Sequence, residues 1–226
     1  MNILAIETAT ITCAVGLRLS SGEEFGVVLD AERQHTETLM RGVADLLSSV
    51  GLSAKRLDRI VVDRGPGLYT GLRVGVATAI GLSIGANAEL VSVTSLEVLA
   101  HDAQRGGVRG LLVAAVDGRR GELFIQRFSL NETVTALEEP AVTTPIALAT
   151  ELDDRGEAVS LAGDGVARYE SEFSKIEAAT LLVDYATPSA LVAVELGAAR
   201  PPEESVAPMY LRDADAVANF TTRQRQ

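Results

Sequence analysis

Apolar and polar positions along the chain change period several times, and the changes predict an α/β order. Residues 3–6 are a run of apolar residues and predict a strand. Residues 8–12 make a turn, 13–19 return as a second strand, and the Ser20-Ser21-Gly22 turn leads to a third at 24–29. Over residues 36–50 the period becomes helical, with Leu39, Val43, Leu46, Leu47 and Val50 on one face and Gly51 as the stop. A short apolar strand at 59–62 then runs into Gly65-Pro66-Gly67, and a long helix pattern opens behind it. A strand at 90–93 precedes a helix starting at Thr94. Three glycines between 104 and 110 predict a junction, with one subdomain over residues 1–106 and a second over 107–226.

After the junction the plan restarts. Residues 111–116 read as a strand, 117–121 as a turn and 122–128 as the returning strand. Glu7 closes the first strand of the first half, and Asp117 closes that of the second. Two halves that each open with a hairpin carrying an acidic residue resemble the duplicated ribonuclease-H-like fold of actins, sugar kinases and Hsp70 ATPase domains. Thr144-Pro145 and Thr187-Pro188 pair a capping residue with proline and predict helices near 146–152 and 189–199. Gly163-Asp164-Gly165 has the composition of a turn. The end of the chain, 219–226, reads as a frayed tail.

Composition narrows the class. With 47% apolar residues, few aromatics and no Trp, the interior must be filled by Ala, Val, Leu and Gly in thin layers. The single cysteine, Cys13, excludes an internal disulfide framework and fits a reducing, cytoplasmic compartment. Its place in an apolar strand makes it a packing residue. Residues 3–6 lack a preceding basic region and read as a strand rather than a signal peptide; polar residues interrupt 74–90, so no membrane span is expected. Up to Gly110 there are 10 basic and 12 acidic residues, and beyond it 10 and 19. No clustered Lys and Arg would neutralise nucleic-acid phosphates, so RNA contact is expected only through another chain.

Gly65, Gly67 and Thr70 form the most informative segment. A glycine turn before a helix whose first amides Thr70 could cap makes a cradle for a phosphate or carboxylate; it is equally a tight connection. Other chemistry fails on spacing. Neither lysine follows a glycine, which excludes a P-loop, and Gly81-Leu82-Ser83-Ile84-Gly85 lies within a helix pattern rather than at a nucleophile elbow. His35 and His101 have no companion ligands in sequence. Glu97, three residues after Thr94, fits a capping box. An actin-like nucleotide-binding enzyme would set Glu7, Asp117 and Asp164 around magnesium; the plainer reading is turn composition.

The long helix has Leu72, Val76 and Ile80 along one side and Val74, Ala77 and Ile84 along another. A helix apolar nearly all round needs cover on more than one side. Together with Leu39, Val43, Leu46, Leu47 and Val50, and with Arg73 beside it, it predicts a contact with a second chain.

Five segments resemble the TsaB (YeaZ) family. They are Ile6-Glu7-Thr8-Ala9-Thr10, His35-Thr36-Glu37-Thr38-Leu39, Gly65-Pro66-Gly67 with Tyr69-Thr70-Gly71-Leu72-Arg73, Val116-Asp117-Gly118-Arg119-Arg120-Gly121-Glu122, and Pro208-Met209-Tyr210-Leu211-Arg212. Leu68 and Glu7 depart from the usual pattern. The resemblance implies a catalytically silent, cytoplasmic partner of the transferase TsaD, joined by the ATPase TsaE and homodimeric when alone. It also implies that ATP or ADP and a metal belong to the partner subunits, and that this chain alone holds no cofactor. TsaD-type enzymes carry a metal-binding histidine pair after the corresponding strand; here those positions are Ser95 and Leu99. The resemblance also raises a metallopeptidase reading, which the missing histidines weigh against.

Overall fold

A computed structural model describes residues 1–29 and 35–212. The tail expected at 219–226 and the side chain of His35 lie outside the described residues. In chain order the first half holds β1 (Ile3–Glu7), β2 (Cys13–Arg18), β3 (Glu24–Leu29), α1 (His35–Ser49), β4 (Arg59–Asp63), α2 (Tyr69–Ala86), β5 (Glu89–Val93) and α3 (Ser95–Arg105). The second half holds β6 (Gly110–Arg119), β7 (Glu122–Leu130), β8 (Val134–Ala136), β9 (Ala141–Thr143), α4 (Pro145–Arg155), β10 (Val159–Ala162), α5 (Asp164–Arg168), α6 (Glu170–Phe173), β11 (Ala179–Leu181) and α7 (Ala190–Ala198).

The two halves share one sheet plan. The first sheet runs β3-β2-β1-β4-β5 and the second β8-β7-β6-β10-β11, with β9 also on β7. In each, an antiparallel hairpin at one side continues into two parallel strands at the other. This is the duplicated ribonuclease-H-like architecture.

Strand alternation explains how the layers pack. Leu4 and Ile6 of β1 face α1 and α2, meeting Leu39, Val43, Leu47, Val76 and Ala79. Ile3 and Ala5 face the other way, toward Val192, Ala193 and Val194 of α7. In β6, Leu112, Ala114 and Val116 meet Leu96, Leu99, Ala100 and Ala103 of α3, while Val113 and Ala115 meet Leu148, Leu152, Val166 and Phe173. So α3, from the first half, packs on the second sheet, and α7, from the second half, packs on the first. A division at 106/107 follows the chain but not the packing.

Local chemistry sets the helix ends. Thr94 caps α3 in a complete capping box with Glu97, as its spacing predicts. Thr144 caps α4 ahead of Pro145. α7 begins later than the Thr187-Pro188 pair suggests, because Ser189 is the cap and accepts from the Val192 amide at 3.4 Å. Thr70 caps nothing: α2 starts at Tyr69 and Leu68 precedes it without a side-chain cap. Gly163 caps α5, so Asp164 opens a short helix where a turn was expected.

Beyond α7 the chain returns along the first sheet. Buried Arg59 donates to the carbonyls of Gly197, Ala198 and Arg200 at 2.7, 3.1 and 2.9 Å, closing the end of α7. The Glu203 amide donates to Leu90 O at 2.8 Å, and the Met209 amide to Arg64 O at 2.7 Å. Arg212 then reaches Glu122 of the second hairpin at 2.6 Å.

Candidate functional site

β1 and β4 run parallel with Ile6 opposite Val62, so the next residues, Glu7 and Asp63, stand side by side at the strand ends. Both are fully buried. Glu7 Oε1 accepts from the Ala9 amide at 2.7 Å. Asp63 Oδ1 accepts from the Gly65 amide at 2.7 Å and from the Ser95 hydroxyl at 2.9 Å. That hydroxyl also lies 2.9 Å from Pro66 O. Burial pushes the Glu7 carboxyl well above its ordinary range, and the neighbouring Asp63 pushes it further. Burial raises Asp63 too, against the lowering effect of its hydrogen bonds.

These carboxyls change the reading of the glycine loop. The Gly65 amide is spent on Asp63, and the Leu68 amide on Ala9 O at 2.7 Å. A Cβ on Gly67 would stand 2.2 Å from that same Ala9 oxygen. The glycines thus permit close backbone packing over two acidic groups, a setting of the wrong sign for an anion. Thr70 is exposed and lies within the first turn of α2.

The second hairpin places Asp117 in a different setting. Its Oδ2 lies 3.1 Å from Arg119 and 3.5 Å from Arg168. Its amide donates to Asp164 Oδ1 at 2.9 Å. Burial raises the Asp164 carboxyl to about 6 against the pull of that bond. Arg119 and Arg120 at the tip both have positive φ, 62° and 55°. Glu7 does not join Asp117 and Asp164: among the described residues, no group of three or more His, Cys, Asp or Glu is placed to hold a metal.

The residues expected at a partner contact divide sharply. Leu39, Val43, Leu47, Leu72 and Val76 are buried in the chain's own core, so they cannot supply an exposed contact face. A charge placed at Val76 would be buried in that core without a partner, at a cost to the chain's own stability. Leu46, Val50 and Ile80 are half-buried against that core. Arg73 is exposed. The outward face of α2 instead carries Arg73, Ala77, Gly81, Ile84 and Gly85, with Ile84 76% exposed. A Cβ on Gly81 or Gly85 would meet nothing within 4 Å, so this side has no cover within the described chain.

At the N-terminal end of that face the Arg73 guanidinium lies 4.4 Å from the centre of the Tyr69 ring. Its Nε donates to the Tyr210 hydroxyl at 3.3 Å, and the two tyrosine rings are 5.1 Å apart. Sequence reasoning placed Tyr69 and Tyr210 in family segments but not in one cluster. It also missed the partnership of Asp63 and Ser95 with Glu7; the one local signal was an acidic residue at the end of each of two apolar strands.

The remaining candidates are structural. Cys13 is buried and its thiol is pushed up to about 11 by burial. The Ser83 hydroxyl donates to Ala88 O at 2.7 Å beyond the end of α2, consistent with a residue inside a helix. Ser95 and Leu99, the positions set against the TsaD histidines, are both fully buried, Leu99 in the second core. Burial lowers the basicity of His101. Among the described residues no helix is long and apolar enough to cross a membrane.

Residues 26–219 match the family model described as TsaD, tRNA N6-adenosine threonylcarbamoyltransferase. The tRNA threonylcarbamoyladenosine biosynthesis protein TsaB of Escherichia coli is 34% identical over 132 residues, 58% of this chain and 57% of the relative. The uncharacterized protein ML0378 of Mycobacterium leprae is 32% identical over 95% of this chain and 55% of its own length. The chain thus spans little more than half the length of the curated relatives it matches. Among solved structures, a Pseudomonas aeruginosa protein described as similar to peptidase YEAZ superposes with a TM-score of 0.78 at 27% identity, covering 93% of this chain and 99% of that one. YeaZ from Pseudomonas aeruginosa gives 0.72 at 26% identity, covering 88% and 92%. With the duplicated sheets, the glycine loop and the matched length taken together, the chain belongs to the family that the TsaD model describes, on its TsaB (YeaZ) branch.

Proposed function

We propose that the chain is a non-catalytic scaffold subunit of a tRNA threonylcarbamoyladenosine-modifying complex, and that it binds and stabilises a TsaD-type transferase. The observation that carries this reading is α2, a helix apolar nearly all round whose outward face has no cover within the described chain. Ala77, Gly81 and Gly85 let a partner helix approach closely, Ile84 supplies an apolar knob, and Arg73 on Tyr69 supplies an anchor of the kind that dominates interfaces. The relatives named for threonylcarbamoyladenosine biosynthesis support the pathway. In this reading the nucleotide and metal sit in the partner subunits, a TsaE-type ATPase joins the assembly, and the chain pairs with itself when alone. The net charge of −11 favours contact with tRNA only through the partner. Binding that selects the active arrangement of the transferase raises its population by mass action.

The test is co-elution with the TsaD-type protein of the same cell, with threonylcarbamoyladenosine measured after depletion. Ile84→Glu is expected to fold normally and to lose pairing. Wild-type pairing by that variant, or unchanged nucleoside on depletion, would refute the proposal.

A further inference from the structure

The pair of carboxyls under the glycine loop leaves a chemical imbalance. Glu7 and Asp63 are both fully buried, and each uses one oxygen to accept from donors of its own neighbourhood. The other two oxygens, Glu7 Oε2 and Asp63 Oδ2, are buried without any donor. Neither carboxyl has a salt bridge among the described residues. Two ionised carboxylates side by side in such a place would each leave one oxygen without a hydrogen-bond donor and would repel each other. One proton resolves both faults, because the protonated oxygen donates and its neighbour accepts.

We propose that Glu7 and Asp63 share a single proton at neutral pH, and that this proton fastens β1 to β4 beneath the Gly65–Gly67 loop and the start of α3. The loop is tied in because the Gly65 amide and the Ser95 hydroxyl both land on Asp63 Oδ1, which leaves Oδ2 as the oxygen without a donor. The surroundings favour the proton. The Cys13 thiol on β2 is pushed up to about 11 and stays neutral. Glu97 on α3 opposes ionisation of Asp63, although Arg200 holds it in a bidentate pair at 2.8 and 2.7 Å. Burial raises both carboxyls of the pair. The inference concerns the isolated chain and does not depend on any partner.

The linkage has a definite sign. The unfolded chain ionises both groups near pH 4 to 4.5, roughly, whereas the folded chain keeps one proton. Stability from this pair is therefore fully present below that range and declines as pH rises, until the folded pair itself ionises. Over that window one excess bound proton makes the unfolding constant rise about tenfold per pH unit.

The decisive measurement is proton release on denaturant unfolding in weak buffer at about pH 7.5. Asp164, at about 6, is ionised there in both states and contributes little. Wild type should release about one proton more than Asp63→Asn, whose amide can still accept from Gly65 and donate to Glu7 in place of the proton. Glu7→Gln should behave in the same way. Equal release by wild type and a folded variant would overturn the proposal. If neither variant folds, infrared spectra of the wild type decide: a protonated-carboxyl band in the folded state, lost on unfolding, supports it, and no such band refutes it. A stability gain from added sodium or magnesium that chelation reverses, with no proton release, would put a cation in the proton's place and also refute it.

Discussion

The two hairpins occupy equivalent places in the two sheets, yet their acidic residues are treated in opposite ways. Glu7 ends β1 against a second carboxyl, with no salt bridge among the described residues. Asp117 in β6 lies under two guanidiniums, at 3.1 and 3.5 Å. A repeated backbone plan thus fixes where an acidic group stands, but not what surrounds it: Glu7 meets Asp63 of β4, whereas Asp117 meets Arg119 of its own turn and Arg168 of α5. The second hairpin is electrostatic and in part open to water, since both arginine side chains are about half exposed. The first is dry and governed by desolvation.

Substitutions can break this contrast or sharpen it. The largest effects should fall on what the halves share, a glycine beside the hairpin's backbone. A Cβ on Gly67 would sit 2.2 Å from Ala9 O, and one on Gly163 would sit 2.1 Å from Ala115 O. Gly67→Ala is expected to lose about 3 kcal/mol, and Gly163→Ala about 4 because its φ of 115° adds strain. Urea unfolding reads both; a loss in only one would show that the halves are not built alike.

Next is pH dependence at the second hairpin. Folded Asp164 keeps its proton to about 6, while the unfolded residue loses it near 3.8. Its contribution to stability therefore falls between those values and is level above them, by up to about 3 kcal/mol. Asp164→Asn can still accept from the Asp117 amide and should remove that part of the pH profile. An unchanged slope in thermal unfolding from acid to neutral pH would contradict the assignment.

A smaller loss, about 2 kcal/mol, is expected for Asp117→Asn, which strands Arg119 and Arg168 beside a neutral group. Added salt should narrow the gap between variant and wild type, whereas it should leave the effect of Glu7→Gln unchanged. Equal salt sensitivity at both hairpins would erase the contrast. The smallest effect belongs to Arg212→Ala. Its ion pair with Glu122 is about one-third exposed on each side, so the change should stay within about 0.5 kcal/mol.

Sequence alone did not mark out the short β8 to β11, α5 and α6, but it determined the order of elements up to β7, the restart of the plan after residue 110, the capping box at Thr94 and the cap at Thr144. These depend on neighbours within a few residues, where periodicity and hydrogen-bonding chemistry are local. It also showed that α2 carries more apolar surface than one sheet can cover. Only the tertiary structure decided which residues meet that need. Leu72 and Val76 go to the core, Arg73 and Ile84 to the surface, because a helix with little amphipathic contrast does not announce its inner face. The exchange of α3 and α7 between the sheets, and the meeting of Glu7 with Asp63, arise from pairings between remote segments. Register across parallel strands is set by the packing of the whole sheet, and no local pattern in either strand encodes it.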